Sequence, residues 1–218
     1  MTPTGLRAVL WDADGVLQHL PVGWEASMRP AVGHLIDDVE GFLAEAFAAE
    51  KATLTGDARW LEVLRTLLAK WGIEDAYDDA LQVWLTIEPV VETRELVETI
   101  RAAGIGCYLA TNQDEHRGRF MHENLGYADL FDDAFYSYEL GFAKPDPAYF
   151  GAVLERLALP GTAVLFVDDN PDNVAAARIV GLHAEQWHVD DGVETLHARL
   201  RAHGLPGVQG LDLSLIHI

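Results

Sequence analysis

The chain has 218 residues, half of them hydrophobic, 35 acids against 15 Lys and Arg, a net charge of −20 and one cysteine. That much apolar material can build a core, so global disorder is excluded, and the length fits one domain or one carrying a large insertion. The acid excess argues against nucleic acid or an anionic membrane surface as partner, and a lone cysteine cannot form an intramolecular disulfide. No apolar run reaches the ~18 residues of a membrane span. Asp12 interrupts the N-terminus before a signal-peptide core can form, so a soluble cytoplasmic protein is expected.

Residues 6–11 form a short apolar run that stops at Asp12, which predicts a buried strand ending in the turn-like Asp12-Ala13-Asp14-Gly15. From 19 to 88 no strand is convincing. Helices are expected there over 31–49, 58–71 and 76–87; Trp60, Leu61, Leu64, Leu67, Leu68 and Trp71 recur at helical spacing as a packing stripe. Helix 93–103 ends at Gly104, and strands follow at 105–110 and 134–138. Helix 147–157 starts behind Asp146 with Pro147 at its first position; strand 163–167 leads to helix 171–180 behind Asn170, and a fifth strand is expected at 182–188. Strands alternating with helices predict an α/β protein with a Rossmann-like parallel sheet covered by helices on both faces. Residues 1–18 and 89–212 form the core domain in this reading, and 19–88 an inserted, all-helical cap. The tail 213–218, Leu-Ser-Leu-Ile-His-Ile, reads as a sequencing-adaptor scar.

Chemistry-bearing residues gather at strand ends. Asp12 and Asp14 flank one residue, and Gly15 permits a sharp turn exposing backbone N–H groups. Strand 163–167 runs into Asp168 and Asp169, one acid more than a helix cap needs. Four carboxylates brought together would raise each other's pKa values, and a divalent oxygen-seeking cation, Mg²⁺, resolves that conflict. Thr111 and Asn112 follow the second main strand. Lys144, one of only three lysines, stands in the loop Gly141-Phe142-Ala143-Lys144-Pro145-Asp146 as a placed point charge. Other chemistries fail: Cys107 lacks the arginine of a cysteine-phosphatase loop, Leu109 breaks the Gly104-x-Gly106 start of a dinucleotide fingerprint, and no GxSxG, Walker lysine loop or HExxH exists.

The ordered set resembles the haloacid dehalogenase superfamily: Asp-x-Asp-Gly after strand one, Thr or Ser after strand two, Lys in the next loop, paired acids after strand four. The resemblance extends to about residue 205 and implies a phosphatase-type branch, since the dehalogenase branch lacks the second Asp. It implies that Asp12 is a nucleophile forming an aspartyl-phosphate and that Asp14 is the general acid and base. Mg²⁺ would be held by Asp12, the Asp14 carbonyl and Asp169, with Asp168 nearer the water shell, a division the sequence leaves open. Thr111 and Asn112, with backbone amides near Gly15, would hold phosphoryl oxygens, and Lys144 would neutralise the transferring group. Asn173 stands where many members carry an acid. The expected activity is Mg²⁺-dependent hydrolysis of a small phosphorylated metabolite under a closing cap, with His19, Trp24 and Glu25 as candidate substrate contacts. The alternatives are a phosphomutase using the same aspartyl-phosphate and, from another class, a phospho-accepting signalling module. Substrate identity and oligomeric state are not legible.

Overall fold

The computed structural model describes residues 5–206 and residue 208; the tail 213–218 lies outside them. Strand β1 (Ala8–Trp11) is the centre of a five-stranded parallel sheet. β4 (Gly106–Thr111) and then β5 (Asp133–Tyr136) lie on one side of it, β6 (Val164–Asp168) and then β7 (His183–Gln186) on the other. Pairing sets Trp11 opposite Leu109 and Val167, so the three central strands end level with one another. Side chains alternate across a strand. Val9 and Trp11 therefore enter one core with Leu96, Val97 and Ile100 of α5 (Val91–Ala102) and Leu196 and Leu200 of α11 (Val193–Ala202). Ala8 and Leu10 enter the opposite core with Tyr149, Phe150 and Val153 of α9 (Pro147–Leu157) and Val174 and Ala177 of α10 (Pro171–Ile179). Both faces of the sheet are covered, as expected, and no helix among the described residues is long and apolar enough to cross a membrane.

Between β1 and β4 the chain builds a helical block: α1 (Trp24–Val32), α2 (Val39–Glu50), α3 (Trp60–Trp71) and α4 (Tyr77–Trp84). Its buried residues, from Met28 to Trp84, form a cluster separate from the two sheet cores, with Trp60 stacked on Trp84 at 4.1 Å between ring centroids. The helix expected over 31–49 begins only at Val39, as α2; α1 overlaps it at residues 31–32 alone and starts at Trp24, ahead of any expected helix. The chain leaves α1 at Gly33 and restarts where the Asp38 carboxylate accepts the Gly41 N–H at 2.8 Å, which supplies a new N-cap. The last helix stops at Trp84, short of the expected 87. The expectation of no strand at the borders of the block also needs correction. β2 (Gln18–His19) and β3 (Glu88–Pro89) pair antiparallel there, joining the way into the block to the way out.

Besides α1, four helices among the described residues are additional to the expected set: α6 (Glu115–Asn124), α7 (Tyr127–Leu130), α8 (Ser137–Leu140) and α11. Of these α6 matters most for function. Asp114 caps it by accepting the N–H groups of His116 and Arg117. Its Gly118 packs where a Cβ would come within 2.7 Å of the Tyr138 ring, so close approach explains a helix-weakening residue in mid-helix.

Candidate active site

Because β1, β4 and β6 run parallel and end level, Asp12, Thr111, Asp168 and Asp169 emerge along one sheet edge, the usual location of sites in such sheets. They line or underlie a cavity of about 660 Å³ whose walls also include Asp14, Gly15, Asn112, Gln113, Arg117, Lys144 and, from the helical side, Trp24, Glu50 and Leu54.

Lys144 ties the strand ends together. Its ammonium donates to Asp12 Oδ1 at 2.8 Å, Asp168 Oδ2 at 2.6 Å and the Ala110 carbonyl at 2.9 Å, with the side chain almost wholly buried. Burial by itself would lower its pKa, but the Asp12 and Asp168 carboxylates override that and hold it above the ordinary lysine value. The loop carrying Lys144 is fixed by Asn112, whose side-chain amide donates to the Lys144 carbonyl and whose side-chain oxygen accepts the Lys144 N–H, both at 2.8 Å. The Asn112 side chain is thus engaged with this loop, and its backbone is the part left to face a ligand.

The two acids after β6 differ in situation. Asp168 is fully buried; its oxygens accept from Lys144, the Asn170 N–H and the Asn173 side-chain amide, the last at 3.0 and 3.1 Å. An amide at 173 satisfies this carboxylate where an acid would repel it. Asp172 is exposed and takes no part. Asp169 faces the cavity. Oxygens of Asp12, Asp168 and Asp169 lie within 4.8 Å of one another. Burial raises the pKa of Asp12 despite Lys144, and burial followed by Asp168 raises that of Asp169. Crowded carboxylates of raised pKa are the donor set a hard divalent cation relieves, so the residues present fit Mg²⁺, with Asp12 and Asp169 free to face it and Asp168 engaged behind them. Gly15 closes this corner. Its φ is 77°, and a Cβ there would stand 2.8 Å from Asp169 Oδ2. Its N–H donates to the Gln18 carbonyl, holding the turn.

Asp14 is gripped by residues that sequence reasoning missed. The Arg117 guanidinium binds it through both terminal nitrogens at 2.6 and 2.9 Å, Gln113 donates at 2.7 Å and Gln18 at 2.9 Å. Burial would raise the Asp14 pKa, but Arg117 pulls it below the ordinary carboxylate value. Arg117 also donates to the carbonyl of Trp84 at 3.1 Å, and the Trp84 indole donates to Asp114 at 3.2 Å. The last helix of the helical block is therefore wired through α6 to Asp14. Thr111 is buried beside this group, with Gln113 Nε2 at 3.4 Å from its hydroxyl. Of the other candidate contacts, His19 and Trp24 line the cavity, whereas Glu25 pairs with Arg29 on the surface.

Glu50, at the end of α2, also enters the cavity wall. Burial, then the Asp114 carboxylate, push it up to about 8 against the pull of Arg117, with Asp14 adding to the rise. A carboxyl raised above its unfolded value contributes fully only below the unfolded pKa and loses that contribution as pH climbs through about 8. Glu50→Gln is accordingly expected to raise Tm at about pH 9 and to leave it near wild type at about pH 5. Thermal melts of the metal-free protein at the two pH values check this; equal shifts at both would contradict it.

Residues 6–181 match the family of haloacid dehalogenase-like hydrolases. The chain belongs to this family and is an enzyme. Phosphoglycolate phosphatase of Rhodospirillum rubrum is 30% identical over 192 residues, covering 81% of this chain and 77% of that protein. Drimenol cyclase of Aspergillus calidoustus is 41% identical over 91 residues, 40% of this chain, and the match spans only 17% of the cyclase. A haloacid dehalogenase family enzyme of Bacteroides thetaiotaomicron has the same fold, with a TM-score of 0.76 at 20% identity over 88% of this chain and 98% of that one. The same enzyme has been solved with magnesium and inorganic phosphate, where the TM-score is 0.72 at 20% identity over 83% and 93% of the two chains.

Proposed function

We propose that this enzyme is a Mg²⁺-dependent phosphatase that hydrolyses a small phosphomonoester through an aspartyl-phosphate on Asp12. The observation that carries this reading is the convergence of Asp12, Asp14, Thr111, Lys144 and Asp169 on one cavity at the carboxyl edge of the sheet. The named activity of the Rhodospirillum relative and the magnesium and phosphate bound to the Bacteroides enzyme agree with it.

In this mechanism a carboxylate oxygen of Asp12 attacks phosphorus while Lys144 holds the other side of the carboxylate and offsets charge on the transferring group. The bond from phosphorus to the leaving oxygen breaks, and Asp14 gives that oxygen a proton. Asp14, now a carboxylate, takes a proton from water; the water oxygen attacks phosphorus, the bond to Asp12 breaks and inorganic phosphate leaves. Arg117 holds Asp14 in the carboxylate form needed for the second half, so the first half requires that pair to loosen once substrate is in place. Thr111 and the backbone N–H groups after β4 orient the phosphoryl oxygens. Mg²⁺, held by Asp12, Asp169 and the Asp14 carbonyl, supplies charge neutralisation to the phosphoryl group when bound. Residues 19–88 act as the cap that excludes bulk water, with β2 and β3 as its paired stems.

Asp169→Asn is expected to weaken Mg²⁺ binding by at least about 10- to 100-fold, the range typical of losing a group that merely supports a metal ligand. The readouts are the Mg²⁺ concentration giving half-maximal phosphate release and the rise in Tm on adding Mg²⁺; an unchanged Mg²⁺ response in both would overturn the assignment. Phosphate release from an aryl phosphate by wild type, dependent on Mg²⁺, tests the reading as a whole.

A further inference from the structure

The cationic side chains of the cavity are already taken. Lys144 faces Asp12 and Asp168, and Arg117 faces Asp14. Its two histidines also stand against carboxylates of the chain, His19 at 3.9 Å from Glu88 and His188 at 3.4 Å from Asp190. With the phosphoryl group over Asp12, between Thr111 and Lys144, a leaving group points away from Asp12 toward the helical side. That wall holds Leu20, Pro21, Trp24 and Leu54, and one carboxyl, Glu50, which has no side-chain hydrogen-bond partner among the described residues. An anionic leaving group would meet no lysine or arginine free of a carboxylate there, and it would meet Glu50.

We propose that the enzyme acts on phosphomonoesters whose leaving group carries no anionic group, lays an apolar face on Trp24 and Leu54 and offers Glu50 a hydroxyl or ammonium donor. Esters such as phosphoglycolate, whose leaving group bears a carboxylate, are rejected. Glu50 is the specificity-determining residue. This inference rests on reading the site as a phosphatase and adds the substrate class. Above about pH 8 Glu50 is ionised and Arg117, its nearby cation, is held by Asp14, so a carboxylate brought beside Glu50 makes the kind of like-charge contact that excludes a wrong partner.

Three probes of nearly equal size test it: 2-hydroxyethyl phosphate, O-phosphoethanolamine and phosphoglycolate, each assayed for kcat/KM with the Mg²⁺-loaded enzyme at about pH 9, where Glu50 is ionised. At least one of the first two is expected to exceed phosphoglycolate by about tenfold or more, and the better of them identifies the donor. Glu50→Lys, which places a free ammonium in that wall, is expected to move the ratio toward phosphoglycolate by about tenfold; Glu50→Gln, a gentler change, moves it the same way by less. Wild-type kcat/KM for phosphoglycolate equal to or above both other probes would overturn the proposal, as would a ratio that neither variant moves. Failure of the phosphatase reading is a separate result: no Mg²⁺-dependent phosphate release from these probes or from an aryl phosphate.

Discussion

Asp12→Asn is expected to lower Mg²⁺-dependent phosphate release by about 10⁴-fold or more, because the amide cannot attack phosphorus. The fold should survive the change. Asn has nearly the same shape, and Lys144 keeps its contacts with Asp168 and the Ala110 carbonyl. Removing the Asp12 charge also removes its repulsion with Asp168 and Asp169, which helps raise the Asp12 pKa. Steady-state phosphate release beside a thermal melt checks both halves. Turnover within tenfold of wild type, in a protein of normal Tm, would mean that another group takes the phosphoryl moiety.

Lys144→Ala carries the second large effect, and here stability and activity fall together. Among the described residues the ammonium is the one cation touching Asp12 and Asp168, and both it and Asp168 are sealed from solvent. Its removal leaves two buried carboxylates facing each other, which costs about 3–5 kcal/mol by the usual measure of a broken buried pair. Activity should drop by about 10²- to 10³-fold from lost charge stabilisation at the transferring group. Mg²⁺ should recover part of the Tm, since a cation between Asp12 and Asp169 compensates some of the same charge. Denaturant titration and phosphate release, each with and without Mg²⁺, are the measurements; a variant as stable as wild type without metal would contradict the picture of Lys144 as the tie between β1 and β6.

Much of the fold and of the site was readable because strand termini mark themselves. Residues 6–11 and 163–167 are apolar up to the residue at which carboxylates begin, so a parallel sheet alone sets Asp12 near Asp168 and Asp169. The helix 147–157 agrees with the sequence expectation to the residue because Asp146 and Pro147 fix its start. Other parts leave weaker traces. The segment Glu115–Asn124 is polar almost throughout and contains Gly118, so it has no apolar stripe to signal a helix, and Arg117 went unnoticed with it. The signals that could have found it are Asp114 as N-cap followed by Glu115 in the first turn. Glu50 reads as one surface acid among 35, and only the folded position of the end of α2 brings it to the cavity wall. The break at 33–38 is local capping chemistry overriding a continuous apolar pattern. The division of labour between Asp168 and Asp169 depends on which acid Lys144 and Asn173 reach, and that is a property of the assembled sheet.

The connection from Trp84 through Arg117 to Asp14 gives the helical block a physical handle on the site. Any shift of α4 against α6 changes the carbonyl that Arg117 Nε reaches and, with it, the grip on Asp14. In the structure the Asp14 side chain is 47% exposed, so the site faces the open cavity.

Covalent trapping tests the central claim most directly. Wild-type enzyme and Asp14→Asn, loaded with Mg²⁺ and an aryl phosphate, are quenched in acid and reduced with borohydride, which converts an aspartyl-phosphate to homoserine. Peptide mass spectrometry is expected to find homoserine at position 12, with the larger yield in Asp14→Asn, where hydrolysis of the intermediate is slowed. Phosphate release without homoserine at position 12 in either protein, or with homoserine at another aspartate, would contradict the account.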